Sequence, residues 1–363
     1  MRKVFIHIGQ HKTGTTRIQY ALARSSSVLE KQNYEYPLLS AHAAHDYLHR
    51  YCVDIMQYGK SDLEGRVSEL IKNIKCFDGN VIISAEGLQE VDPELLRKIF
   101  SEFDVVIVAY VREQADYLFS AYLQEVKSGG ESRTFPEWIE SMGKHIGAYY
   151  PYSWLNSWEA AFGVGCVIVR IYDRSSLVDG DVLADFLQVV GLQSVAMDIG
   201  ATMINEPSNL RVNQYLHEAM RVINSLGFPR KMVLDVTYDA IERLSQSAPK
   251  RHPLPGCNPI LVEEIRRRSD YENVKLFDKY FDGIGCFDLK ELPVERRSSS
   301  LMILRYLISV LAFSFWRNKI AVVRIFFRLM RFNTAIKLIS FDSDSRVSGL
   351  GAMCSILNSS LRK

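Results

Sequence analysis

The segment Val4-Phe5-Ile6-His7-Ile8-Gly9-Gln10-His11-Lys12-Thr13-Gly14-Thr15-Thr16 constrains this chain more than any other. Its first five residues are apolar or β-branched apart from His7 and stop at Gly9, which predicts a buried strand. A loop with lysine, glycine and three threonines follows, and a helical pattern runs from Thr15 to about Lys31. A strand–loop–helix turn of this kind aims backbone N–H groups, a helix N-terminus and an ammonium at one point in space. Those groups suit a phosphate- or sulfate-bearing ligand. The plainer alternative is an ordinary strand-to-helix turn with a threonine N-cap.

A second site candidate lies about a hundred residues on. Val105-Val106-Ile107-Val108-Ala109-Tyr110-Val111 is another apolar run, and it ends at Arg112. A helix is expected from Glu113, with Ser120 about two turns along it. Parallel α/β sheets bind ligands at the carboxyl ends of their strands. A guanidinium and a hydroxyl there can converge on one phosphate, although a surface salt bridge is the competing reading of Arg112. Val81-Ile82-Ile83-Ser84-Ala85-Glu86 places a carboxylate just past a third apolar run, and Cys166–Ile171 reads as a fourth strand. Strands alternating with helices, and apolar throughout, predict a three-layer α/β fold: a parallel sheet flanked by helices, like that of P-loop NTPases.

Lys12 stands before Gly14 rather than after it, so the loop is P-loop-like without matching the Walker pattern. Lys12-Thr13-Gly14-Thr15-Thr16 resembles the 5′-phosphosulfate loop of sulfotransferases that use 3′-phosphoadenosine 5′-phosphosulfate (PAPS). Arg112, seven residues and Ser120 resemble their 3′-phosphate clamp. Tyr36-Pro37, Arg170-Ile171-Tyr172-Asp173-Arg174, Asp181–Leu187 leading into Val190-Gly191-Leu192, Asn205-Glu206-Pro207-Ser208 and the charged stretch Val262–Phe281 also resemble bacterial, glycan-type members of that superfamily. The likeness covers residues 1 to about 285.

The resemblance implies sulfuryl transfer from PAPS to a hydroxyl of a carbohydrate, whether capsular polysaccharide, exopolysaccharide or glycolipid, with no metal. Lys12 would follow charge onto the leaving phosphate, and Thr13, Gly14, Thr15 and Thr16 would hold the 5′-phosphate. Arg112 and Ser120 would hold the 3′-phosphate, and Glu86 would act as general base, its pKa raised toward neutrality by burial. His11 is a rival for contact with the acceptor. His7, inside a strand, reads as a core residue. His42, His45 and His49 fall on one face of an expected helix, solvated or lining an acceptor channel, with metal binding less favoured. Residues 134–162 and 195–260 are expected to build the acceptor cleft, with Trp138, Tyr149, Tyr150, Tyr152, Trp154 and Trp158 as stacking or packing groups.

Two other function classes remain open. A nucleotide-dependent kinase of related fold calls for a lysine after Gly14 and an aspartate at a strand end; Thr15, and Ser84 or Arg112, stand there instead. A non-catalytic membrane-associated adaptor would work through the C-terminal tail.

That tail carries most of the chain's charge asymmetry. The 363 residues sum to +2, but residues 294–363 hold twelve Lys/Arg against three acids, a balance of +9 that leaves −7 for residues 1–293. An acidic core argues against nucleic-acid binding. The chain divides on this basis into a domain over 1–285, a linker over 286–300 and a basic, apolar helical extension over 301–363. Leu301 to Trp316 is marginal in length for spanning a bilayer. Arg317, Arg324, Arg328 and Arg331 fall within an arc of about 60° on a helix, which reads either as a peripheral membrane anchor or as a helical hairpin packed on the core. Met1-Arg2-Lys3 leads straight into the first strand, and the six cysteines show no metal spacing. The expected location is therefore cytoplasmic, with contact to the inner membrane face as the tail's contribution.

Overall fold

Among the described residues five parallel strands form one sheet in the order β2-β3-β1-β4-β5. The computed structural model describes residues 2–39, 42–143, 150–202, 212–244, 254, 257–293, 300–315 and 319–331. The chain runs β1 (Lys3–His7), α1 (Thr15–Ala23), α2 (Ser26–Lys31), β2 (Tyr34–Glu35), α3 (Asp46–Tyr58), α4 (Glu64–Cys76) and β3 (Asn80–Ser84). A 3-10 turn over Glu86–Glu90 leads to α5 (Pro93–Ile99), β4 (Asp104–Val111), α6 (Gln114–Lys127), α7 (Phe135–Met142), α8 (Pro151–Phe162) and β5 (Val167–Ile171). The remaining helices are α9 (Val182–Val189), α10 (Ala196–Ala201), α11 (Gln214–Asn224), α12 (Arg230–Leu244), α13 (Pro259–Tyr280), α14 (Ser300–Phe315) and α15 (Lys319–Arg331). They form two units, Met1–Tyr117 with Lys144–Pro207 and Ile265–Lys290, and Leu118–Gly143 with Ser208–Glu264 and Glu291–Lys363.

The first unit holds the sheet. Its strands are apolar on both faces because both faces are covered. Val4, Ile6, Val105, Ile107 and Ala109 pack with Leu48 of α3, Leu70 of α4, Leu96 of α5, Trp158 of α8 and Leu276 of α13. The alternate residues Phe5, Val106, Val108 and Tyr110 pack with Leu22 of α1, Leu29 of α2, Phe186 of α9 and Ile199 of α10. Burying one such aliphatic side chain contributes about 1.5–3 kcal/mol, so two covered faces hold the sheet between its helices.

This winding positions the site. Chain leaving β1 crosses one face toward β2, whereas chain leaving β3 and β4 crosses the other. The direction therefore reverses at β1, and the carboxyl ends of β1 and its neighbours are where sheets of this winding bind ligands. Backbone pairing continues past the strand ends, with Ala85 N–H donating to His7 O at 3.1 Å, Gln10 N–H to Tyr110 O at 3.0 Å and Tyr172 N–H to Val111 O at 2.7 Å.

The helix expected over Thr15–Lys31 is broken. Three consecutive serines compete with helix bonding at this point: Ser25 turns its hydroxyl back onto Ala21 O at 2.7 Å, and a second helix starts at Ser26. The short edge strand β2 was not anticipated; at two residues it carries no periodic signal.

The described elements of the second unit are helices. Tyr122 packs edge-on against Phe135, and Trp138 lies tilted at 5.5 Å from it. α14 packs on α11 and α12, burying Leu307, Val310 and Leu311. The side chain of Asn213 donates to the Tyr306 hydroxyl at 2.6 Å, and Tyr215 stacks on the same ring. Val322 and Ile325 of α15 are buried, and the Arg328 guanidinium lies over the Phe228 ring at 5.2 Å. Leu307, Val310, Leu311, Val322 and Ile325 of the tail are thus packed, whereas Val323 is exposed. Among the described residues no helix is long and apolar enough to cross a membrane. Arg317, Trp316, residues 294–299 of the expected linker and residues 332–363 of the extension lie outside the described residues, as do Tyr149 and Asn205–Ser208.

Candidate active site

The loop between β1 and α1 is shaped by three residues of positive φ, Gly9 at 106°, Lys12 at 64° and Gly14 at 79°. A side chain at position 14 would meet Val182 Cγ1 at 2.9 Å and the Tyr172 ring at 3.3 Å, so the turn admits only glycine. Gly14 is also the N-cap of α1 and offers no side chain to the first-turn amides. Those amides are the orphan donors that an anion satisfies. Two of the three threonine hydroxyls already have acceptors. Thr13, buried, donates to Gln10 O at 2.6 Å, and Thr15, also buried, donates to the Glu86 carboxylate. A buried hydroxyl needs a partner, and the loop supplies it from within. Thr16 is half-buried.

Arg112 stands where the sequence placed it, one residue beyond β4. It is held on two sides: Nε donates to Asp116 Oδ2 at 2.8 Å, and Nη1 donates to the main-chain oxygen of Lys12, also at 2.8 Å. Its guanidinium lies 5.8 Å from the centre of the Tyr172 ring. The bond to Lys12 O ties the Lys12 loop at the end of β1 to the arginine at the end of β4. Ser120 is in α6 as expected, half-buried, and falls in the second unit. Arg17, in the first turn of α1, forms a two-point contact with Asp181, which N-caps α9.

Glu86 opens the 3-10 turn after β3, beside the Lys12 loop. His11 bridges it to Glu90: Nδ1 is 3.2 Å from Glu86 Oε1 and Nε2 is 3.3 Å from Glu90 Oε1. The electrostatics overturn the expectation for Glu86. Burial does push its pKa up, but hydrogen bonds from His11 and Thr15, with the charges of His11 and Lys12, outweigh it and hold the carboxyl at about 2. For His11, burial lowers the pKa, yet the two carboxylates raise it to about 9. The neighbours are therefore an ionised carboxylate and an imidazolium, not a near-neutral acid.

Of the remaining histidines, those expected on one helix face depart from their sequence reading, whereas His7 keeps it. α3 begins at Asp46, so His42 and His45 precede it and only His49 is helical. His45 is fully buried, its Nε2–H donating to Pro37 O at 3.0 Å while Nδ1 accepts from Ser84 N–H at 3.2 Å. His7 is a core residue, 2.8 Å from the Ser84 hydroxyl through Nδ1. Burial lowers both to about 4, so both are neutral. His49 packs its ring directly on Gly87, where a Cβ would come within 2.5 Å of Nδ1. Among the described residues no group of three or more His, Cys, Asp or Glu is arranged to hold a metal ion.

Trp138 and Trp158 are buried packing residues, and Trp154 is partly buried against the same core as Trp158. Three residues at the sheet edge were given no role by the sequence. Asp116 was signalled by its i,i+4 spacing from Arg112, and Glu90 by its spacing from Glu86. Tyr172 carried no such signal, since only the β4–β5 register brings it beside Gly14.

No family model matches this chain. An uncharacterised protein of Archaeoglobus fulgidus is 28% identical over 204 residues, covering 52% of this chain and 49% of the relative. The chain thus spans about half the length of that relative. A crystal structure of a sulfotransferase from Alicyclobacillus acidocaldarius aligns with a TM-score of 0.40 and 14% identity, covering 80% of this chain and 98% of that one.

Proposed function

We propose that this chain is a sulfotransferase that moves the sulfuryl group of PAPS onto a hydroxyl of a carbohydrate, by in-line displacement and without a metal. The observation that carries the reading is the Arg112 Nη1 to Lys12 O bond, because it sets the cation-bearing loop after β1 beside the arginine that follows β4. A donor with phosphates at both ends of a nucleoside needs two separated anion contacts on adjacent strands. The chemistry of the residues fits such a donor: uncapped amides at Thr15 and Thr16, the turn at Gly14, the Lys12 ammonium, and a guanidinium already half enclosed.

In this reading the amides of Thr13–Thr16 and the Thr16 hydroxyl hold the 5′-phosphate and Arg112 the 3′-phosphate. Lys12 neutralises charge on the leaving oxygen. Glu86, ionised throughout the neutral range, accepts the proton of the acceptor hydroxyl. The bound donor supplies the sulfuryl group and a 3′,5′-ADP leaving group. In this proposal residues 1–285 carry the chemistry, 286–300 link, and 301–363 are an extension to it.

Thermal stabilisation by 3′,5′-ADP, ADP and ATP tests the proposal. A ligand bound through its 3′-phosphate should raise the melting temperature well above the other two at equal concentration. Equal shifts, or a larger shift with ATP and Mg²⁺, would replace it with the kinase reading.

A further inference from the structure

We infer that His11 is a positioning residue for the proposed transfer, clamping Glu86 to Glu90 through both ring nitrogens and acting on the reaction only through Glu86. The inference rests on the proposed function and adds a role to a residue outside the proposed catalytic and donor-binding set.

The geometry is specific. His11 comes from the β1 loop, and both carboxylates come from the one 3-10 turn that follows β3. Each ring nitrogen has its own carboxylate oxygen, at 3.2 and 3.3 Å. An imidazole with an acceptor at each nitrogen is satisfied only when both carry protons. The turn itself is held in place from behind, since the His49 ring occupies the space a side chain at Gly87 would need. Glu86 Oε1 takes the His11 bond and Oε2 takes the Thr15 hydroxyl, so the carboxylate is fixed at two points.

The surrounding charges come from three elements. The loop brings His11 and Lys12; the 3-10 turn brings Glu86 and Glu90; α3 brings His49, which faces Glu90 and His11 and is itself influenced by Asp46. With His11 charged, the loop and turn together balance, two cations against two carboxylates. With His11 neutral or absent, two carboxylates confront Lys12 alone, beside a loop proposed to receive an anion. His11 therefore does two things at once: it orients Glu86 and it cancels the repulsion Glu86 would otherwise exert on the donor.

A proton balance follows for the transfer step. The acceptor oxygen forms its bond to sulfur, the sulfur–phosphate oxygen bond breaks, and the hydroxyl proton passes to Glu86. While His11 donates to Glu86 that carboxylate is a weak base. The His11–Glu86 bond must lengthen as the proton arrives, and Glu90 retains the imidazolium.

Carboxyl ¹³C and imidazole ¹⁵N NMR titrations of the full chain test this, with Glu86 assigned through E86Q. In the unsubstituted protein His11 should titrate near 9 and Glu86 below 3. In His11→Gln, which keeps a donor but no charge, the Glu86 midpoint should rise by at least 1.5 pH units. The stabilisation by 3′,5′-ADP should persist, weakened roughly tenfold at low salt and less at high salt. Glu90→Gln should instead lower the His11 midpoint, and it serves as the second variant should His11→Gln fail to fold. A His11 midpoint near 6.5, or a Glu86 midpoint unmoved in His11→Gln, overturns the role of His11 alone. Absence of any 3′,5′-ADP effect on the unsubstituted protein overturns the proposed function and this role with it.

Discussion

Asp185 should be among the most costly single polar residues to replace, and the structure allows the cost to be worked out. It lies on α9 with a fully buried side chain. Oδ1 accepts from the Tyr110 hydroxyl at 2.8 Å and from Arg170 Nε at 2.9 Å, while Oδ2 accepts from Arg170 Nη2 at 2.5 Å and Val178 N–H at 3.2 Å. Four donors from β4, β5 and the turn before α9 thus converge on one carboxylate. Asp185→Asn keeps the volume but points an NH2 group at one of these donors and removes the charge opposite Arg170. Breaking a buried ion pair on one side costs about 3–5 kcal/mol. Arg170 is one-third exposed and can turn partly toward water, which brings the figure toward the lower end, about 3 kcal/mol. At roughly 2–4 °C per kcal/mol for a domain of this size, the melting temperature should fall by about 6–12 °C. Urea denaturation at pH 7 measures the loss, with the exposed Asp198→Asn as the control. An Asp185→Asn midpoint corresponding to less than about 0.5 kcal/mol of destabilisation would refute the reasoning, because that is what an ordinary surface substitution costs.

Three further outcomes follow from the same geometry. Gly14→Ala combines a left-handed backbone, costing about 1–2 kcal/mol, with contact on Val182, so it should destabilise the protein and abolish stabilisation by 3′,5′-ADP; chemical denaturation and a melting assay read the two effects separately. Arg112→Lys loses the planar fork that serves Asp116 and Lys12 O, and calorimetry should show 3′,5′-ADP binding weakened about tenfold to a hundredfold with ADP binding little changed. His7 and His45 are buried and neutral, with pKa values near 4 against an unfolded value of 6.5. Their folded-state pKa is depressed, so the unfolded chain takes up protons first and stability drains as pH falls from 6.5 to 4, by up to about 3 kcal/mol for each. Urea midpoints measured from pH 7.5 to 4.5 should show that decline, and His45→Gln should flatten it; a flat profile in the unsubstituted protein would contradict the burial argument.

Much of the site's location was legible in the residues alone. Lys3–His7, Asn80–Ser84 and Asp104–Val111 are strands because short β-branched runs bounded by glycine or a polar residue have few other solutions, and strand ends in such sheets are ligand edges. Lys12, Glu86 and Arg112 were placed on that edge by the same logic, and the structure puts them there. Short-range competition was less visible. The break at Ser25 depends on a single hydroxyl returning to the backbone, which periodicity does not register, and α3 starts at Asp46 with no side-chain cap to mark it.

The chain's own pattern, then, determined a covered parallel sheet and which residues stand at its edge, because hydrophobic period and strand punctuation are local properties. The tertiary structure alone decided their charge. Glu86 meets Thr15 across 71 residues and His11 across the β1–β3 register. Burial without those partners would have raised its pKa, and burial with them lowered it. The sign of that shift depends on which donors come within hydrogen-bond distance. No stretch of sequence shorter than the whole βαβ winding specifies that.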